Sequence, residues 1–480
     1  MIRFSLPSVV LFLPLLGALF LLFVRGDERI VSKNSRHVAL LITTCVFLLS
    51  LASALFYQAD PEKYLSQTVF GPVRTDWRVG IDALSMIFVL LISFLTVLAV
   101  CVIRRHVLFC VREFSFLVLT AESFMLIAVC SQNMFQFFVF WESAVLPLFL
   151  MTAVWGTEKR IFTAYKFCFS DLLGAICLMP ALFWLSEKAG SADYADIAPL
   201  ALAGKEQSVL LVCFLAALAF KSPLFPFHAW LSDAQAEAPV PTGILLCGIF
   251  SKLVFYAFLR LAFPVTQEIL SVWSPFLLAW AVFSAVYGAL ITLKQVEIKK
   301  IAGFAHLAQV GFLGAGLFCV TPSALKSLLF LCVAQGLAVT VYLMSAGALY
   351  ARFRAAGIKN PTGLMMLFPY LGMTFFLSCL AVLAVPPLMP FTGQFLIFYA
   401  AFQQSKAAAF FLLLSVVLLY AAFFRLFTRL LFGEPPERSL APPDMSWREK
   451  TAAVVFGMIF LVLSVMPGII FDLAQQAVGG

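Results

Sequence analysis

Apolar runs of about 20 residues follow one another along this chain from end to end, each long enough to cross a bilayer as a helix. Within hydrocarbon every backbone N–H and C=O must be paired internally, as a helix pairs them. The composition agrees: 63% of the 480 residues are hydrophobic and 12% charged, with a mean hydropathy of +1.02. No soluble domain of this size has that balance. The expectation is an all-α membrane protein, a single polytopic domain over residues 1–480 with about fourteen spans. The first span does not read as a cleaved signal, since one arginine precedes it and no clear small-x-small site follows its apolar core.

Lysine and arginine set the expected orientation. With both termini outward, 21 basic residues fall in the inward loops and at their flanking helix ends, and eight on the outward side. That bias favours an even number of spans with the termini outside. The net charge of +8 is then mostly topology and does not indicate nucleic acid. The eleven cysteines are scattered singly, mostly within spans, and read as small buried apolar residues. No Gly-rich nucleotide fingerprint appears, so redox chemistry would belong to partner chains.

A lysine ends an apolar run in Ala216-Ala-Leu-Ala-Phe-Lys221-Ser-Pro-Leu-Phe-Pro226. An intramembrane ammonium costs several kcal/mol unless paired or hydrated, and such residues usually serve function. Pro223 and Pro226 break the helix beside it, freeing backbone carbonyls and admitting water. Glu142, in Phe137-Phe-Val-Phe-Trp-Glu142-Ser-Ala-Val-Leu-Pro147, has no other charge in its span and is the natural counter-ion. Pairing offsets the desolvation of both groups, and the two charged groups are expected within roughly 4–8 Å, directly or through one water. A static pair that fixes helix packing is the plainer alternative. Lys252, isolated in the next apolar segment, is placed to receive a proton next. Glu122 stands between pathway member and structural contact, and Asp171 reads as a local polar contact. His228, just past the helix break, is an entry relay or a capping group. His306, mid-span, is a relay or a satisfied polar contact.

A second proline cluster, Pro386, Pro387 and Pro390, interrupts a later span about 160 residues on, in the place matching the first break. Breaks at corresponding places in two halves point to inverted repeats with the site near the breaks. The halves are expected at residues 113–262 and 270–431, and the Pro-rich connection Phe432–Ser446 reads as an ordered connector or surface strap.

These segments resemble the antiporter-like M subunit of respiratory complex I, related to mitochondrial subunit 4. Phe140-Trp-Glu-Ser-Ala-Val-Leu-Pro147 is similar to its fifth-helix motif. The stretch Phe220-Lys-Ser-Pro-Leu-Phe-Pro-Phe-His-Ala-Trp-Leu-Ser-Asp-Ala-Gln-Ala-Glu-Ala-Pro239 resembles its Lys-x-Pro and His-x-Trp-Leu pattern, and Glu297-Ile-Lys-Lys-Ile-Ala-Gly-Phe-Ala-His-Leu-Ala-Gln-Val-Gly-Phe312 a third motif. The spacing of Glu122 before Glu142 agrees as well. The resemblance covers essentially the whole chain. It implies fourteen helices in two inverted five-helix repeats, with helices 7 and 12 broken. It implies a proton-translocating subunit of an NADH:quinone oxidoreductase in a bacterial inner membrane, alongside the other antiporter-like and membrane-arm subunits. No cofactor is expected in this chain; NADH, flavin, iron–sulfur clusters and quinone belong to partner subunits. Glu142 and Lys221 would be the coupling pair and Lys252 the central relay.

Three positions depart from that pattern. Gln309 stands for a histidine with His306 one turn earlier, Gln335 for the histidine of Ala-His-Gly, and Gln394 for the glutamate of Gly-Glu-Phe. Glutamine orients water but does not titrate near neutral pH, so Gln394 and Gln335 would line a watered exit. The alternatives are the D-type member of a multisubunit sodium/proton antiporter, or a non-pumping scaffold that anchors a redox arm.

Overall fold

The computed structural model describes residues 6–59, 67–70, 77–355, 362–434 and 443–479. Among them nine helices are long and apolar enough to cross a membrane, or ten if the bent pair Ala453–Val465 and Gly468–Val478 is one span. Shorter apolar helices, Leu6–Leu22 and Pro369–Val382, and the segments around the two breaks add to these. The expected all-α fold needs one correction: Gln67–Phe70 and Trp77–Val79 pair as a small antiparallel ladder. Edge backbone in that long connection finds partners across the ladder instead of in a helix. The prolines at 435, 436 and 442 of the expected strap lie outside the described residues.

The chain divides into two compact units. The first comprises Met1–Trp230, Glu237–Trp273 and Leu473–Gly480; the second comprises Leu231–Ala236 and Ser274–Asp472.

In the first unit, side-chain caps start two of the helices. Asp82 accepts from Ser85 N at 2.8 Å to open Ala83–His106, and Asn133 accepts from Phe135 N and Gln136 N to open Met134–Trp155. Each cap pairs an N–H that a helix start leaves free. Hydroxyls inside the spans bond back to their own helix, as Ser93 does to Val89 O at 2.8 Å and Thr152 to Leu148 O at 2.9 Å. From Val240 to Trp273 the chain is helical throughout, and two π-helical turns, Ile244–Phe250 and Phe258–Ala262, flank the α-helical Ser251–Ala257.

In the second unit, small residues let helices approach closely. A Cβ on Gly311 would stand 2.6 Å from Ala285 N, and one on Gly288 2.6 Å from Ala308 N. Such stripes hold helices together where hydrocarbon on both sides gives no hydrophobic drive. The break after Pro369–Val382 is tied by Gln309, whose side-chain amide donates to Val382 O, and Gln335 Nε2 donates to Gln309 O at 3.2 Å.

Candidate functional site: a buried lysine between two carboxylates

Lys221 is the last residue of the helix Gly204–Lys221, and its side chain is 1% exposed. Chain geometry puts the ammonium at a helix C-terminus, where the backbone dipole favours a cation. Ser222 N closes the final turn on Leu218 O at 2.8 Å, and Pro223 and Pro226 prevent continuation before the helix Ala229–Glu237. A carbonyl freed by the break is satisfied from a neighbouring helix: Ser170 Oγ donates to Phe220 O at 2.9 Å.

Two acids and one ring surround the Lys221 Nζ. It donates to Glu142 Oε1 at 2.7 Å, lies 2.8 Å from Asp171 Oδ2 and stands 4.5 Å from the centroid of the Trp141 ring. Only the Glu142 contact has hydrogen-bond geometry; the Asp171 contact is ionic. The carboxylates come from adjacent helices, Glu142 from Met134–Trp155 and Asp171 from Arg160–Ala189. Glu142 keeps 24% of its side chain exposed, against 3% for Asp171. Glu142 is therefore the member with access to the outside of the cluster. Two carboxyls and one ammonium cannot all be charged and mutually compensated, so the cluster holds one negative charge or one extra proton. Gain or loss of that proton is the chemistry this arrangement supports.

Glu142 and Lys221 thus sit in direct contact, closer than the expected separation. Asp171, expected to be local, lies at the lysine as well. Fifty residues separate it from Lys221 in the chain, and only its isolation in an apolar helix could have marked it. Trp141 went unmarked because an aromatic beside a charge is ordinary in a membrane helix; here its face meets the ammonium. Gly174 was also silent. A Cβ there would stand 2.7 Å from Lys221 Cγ, so the glycine makes room for the lysine stem. We expect Gly174→Val to displace the stem at a cost of about 1–3 kcal/mol. A lower thermal midpoint together with slower turnover checks this; a variant matching the parent in both shows that the stem moves freely.

The other singled-out residues have surroundings of their own. Lys252 is fully buried, donates to Cys247 O in the preceding π-helical turn and lies 3.3 Å from Ser251 Oγ. Such π-turns recur at functional sites because they turn a carbonyl out of the helical ladder. Glu122 is fully buried on Val111–Cys130, and neither carboxyl oxygen has a hydrogen-bond partner among the described residues. A carboxyl so placed is costly as an anion. His228 follows the break, half-buried and stacked on Phe225 with centroids 6.0 Å apart. In the second unit His306 is buried on Ile298–Phe318, and Gln394 is buried on Met389–Gln404, beyond the second break. No group of three or more His, Cys, Asp or Glu with metal-binding spacing occurs among the described residues.

Residues 131–421, which hold every one of these groups except Glu122, match the family described as NADH:quinone oxidoreductase/Mrp antiporter, transmembrane. Along nearly its full length the chain is similar to two curated proteins. It is 28% identical over 481 residues to NADH-ubiquinone oxidoreductase chain 4 of Marchantia polymorpha, covering 99% of this chain and 96% of that one. It is 29% identical over 490 residues to NADH-quinone oxidoreductase subunit M of Rhodobacter capsulatus, again covering 99% and 96%. The fold superposes on a chain of respiratory complex I from Thermus thermophilus with bound NADH at a TM-score of 0.86, with 25% identity, covering 98% of this chain and 99% of that one. With the match spanning more than half of its length, the chain belongs to the transmembrane NADH:quinone oxidoreductase/Mrp antiporter family.

Proposed function

We propose that this chain is a proton-translocating subunit M of an NADH:quinone oxidoreductase. The observation that carries this reading is the buried ammonium of Lys221 held between Glu142 and Asp171 at a helix break. In this reading the redox reaction occurs in partner subunits that hold NADH, flavin, iron–sulfur clusters and quinone. Its energy reaches this chain as a change at Glu142. Drawing Glu142 away or neutralising it leaves Lys221 with one anionic neighbour instead of two, and the lysine proton is then free to move toward Lys252. Lysine suits this task because its affinity for a proton follows its surroundings, whereas arginine stays charged. Glu122, His228 and His306 serve as further path members, and Gln394 holds water at an exit. The chain crosses a bacterial inner membrane about fourteen times, in two inverted five-helix repeats, with both termini outside; the lysine and arginine bias supports that orientation.

Purification tests the assembly. A tagged chain drawn from its native membrane is expected to bring flavin and iron–sulfur subunits with it. Recovery with hydrophobic partners alone and no flavin indicates a multisubunit antiporter instead. Recovery with the redox subunits but without NADH-driven proton movement indicates a scaffold.

A further inference from the structure

The second unit offers amides but few titratable groups near its break, and Gln394 cannot carry a proton by titration. The first unit holds a polar column leading from Lys252 to one end of the bundle. Lys252, Tyr256 and Arg260 recur at four-residue steps on one continuous helix, so they share a face. Eight residues of helix carry that face about 12 Å along the axis. Neighbouring elements meet it with hydroxyls and a carboxylate. Tyr256 Oη, fully buried, lies 3.2 Å from Ser85 Oγ and donates to Val129 O at 2.8 Å, where Ser85 Oγ also donates, at 2.6 Å. Ser85 N in turn donates to Asp82 Oδ1 at 2.8 Å. Arg260 pairs with Asp82 Oδ2, and its guanidinium lies 4.6 Å from the centroid of the Tyr194 ring.

Two features separate this column from a structural ion pair. Tyr194 Oη and Arg260 Nε are buried polar atoms with no hydrogen-bond partner among the described residues. Buried polar groups are costly to leave unpaired, so positions like these take ordered water. The column also opens outward by degrees: Tyr256 is closed off, while the Arg260 and Asp82 side chains are 17% and 20% exposed. Beyond them stands a partly exposed rim, where Arg78 Nη1 meets Asp193 Oδ2 at 3.0 Å and Asn133 Nδ2 meets Asp193 Oδ1 at 3.1 Å.

We propose that Lys252, Tyr256, Ser85 and Asp82 form a proton outlet within the first unit, in addition to the one at Gln394, with Arg260 as its charged gate. This rests on the proton-moving reading above. A proton leaves the Lys252 ammonium and is taken at Tyr256 Oη through a bridging water. The tyrosine passes its own hydroxyl proton to Ser85 Oγ, and the serine proton goes to the Asp82 carboxylate. Asp82 releases it to water at the rim. Each hydroxyl ends with one proton, as it began, and no electron moves. Both hydroxyls rest on Val129 O; each rotates off it to hand on its proton and returns to it to reset. Arg260 acts by position: it stays protonated, keeps Asp82 anionic between transfers and repels metal cations that would enter from the rim.

Tyr256→Phe, measured in the assembled complex in native membranes, tests this, because it removes one oxygen and leaves the ring packing against Phe88 and Phe137. Coupled NADH-to-quinone turnover per subunit is expected to fall about threefold, with subunit content unchanged and a larger solvent deuterium isotope effect. Asp82→Asn, which keeps an N-cap acceptor, is expected to fall similarly. Turnover per subunit within about 20% of the parent for Tyr256→Phe, with an unaltered isotope effect, overturns the outlet. So does a loss confined to thermal midpoint or subunit content, which marks the column as structural. Lys221→Ala run in parallel separates the two readings: impaired Lys221→Ala with normal Tyr256→Phe removes only the outlet, whereas normal Lys221→Ala removes the proton-moving reading itself.

Discussion

Replacing Lys221 with alanine is expected to lower coupled NADH-to-quinone turnover at least tenfold, about 1.4 kcal/mol or more in barrier terms. The substitution leaves Glu142 and Asp171 facing one another without the cation that both contact. Removing one member of a buried charge cluster typically costs about 3–5 kcal/mol, so subunit content must be measured beside turnover. Lys221→Arg is the sharper form of the experiment. A guanidinium satisfies both carboxylates and keeps the positive charge but does not release its proton. If the cluster only fastens three helices together, arginine restores turnover. If the cluster moves protons, arginine restores assembly and leaves turnover low. Near-normal turnover in Lys221→Arg contradicts a proton-moving role.

Lys252→Met carries the second largest expected effect, also about tenfold in coupled turnover. Methionine is similar in length and suits a fully buried site, so packing is preserved and the cost of burying an ammonium disappears. The variant should therefore assemble at least as well as the parent. A stable and abundant subunit with low turnover is the signature of a residue kept for its proton and not for its packing. Undiminished turnover with raised stability would instead make Lys252 a dispensable polar contact of its π-helical turn.

Much of the membrane architecture was legible in the sequence because bilayer thickness sets a length scale that apolar runs must meet. The two breaks were legible too, since proline cannot continue a helix. Glu142 and Lys221 stood out because each is a lone charge in an apolar span, where the cost of burial demands a reason. Partnership was harder to read. Asp171 gave the same signal as Glu142, but spacing alone could not say that its helix packs against the lysine. Gly174 and Trp141 carry no charge, and their roles follow only from where the Lys221 stem and ammonium lie. The column at Tyr256 was hidden for a related reason: Ser85, Asp82 and Tyr194 come from separate places in the chain, and spacing alone does not bring them to Tyr256 and Arg260. The short ladder at Gln67–Phe70 was missed because a four-residue strand in a long connection has no periodicity to detect.

NADH-driven proton uptake by inverted membrane vesicles, compared between the parent and Lys221→Arg at equal subunit content, tests the central claim most directly. The account predicts that the parent acidifies the vesicle lumen as NADH is oxidised and that the arginine variant, assembled with the same partners, does so at least tenfold more slowly. Equal rates and extents of acidification in the two would contradict it.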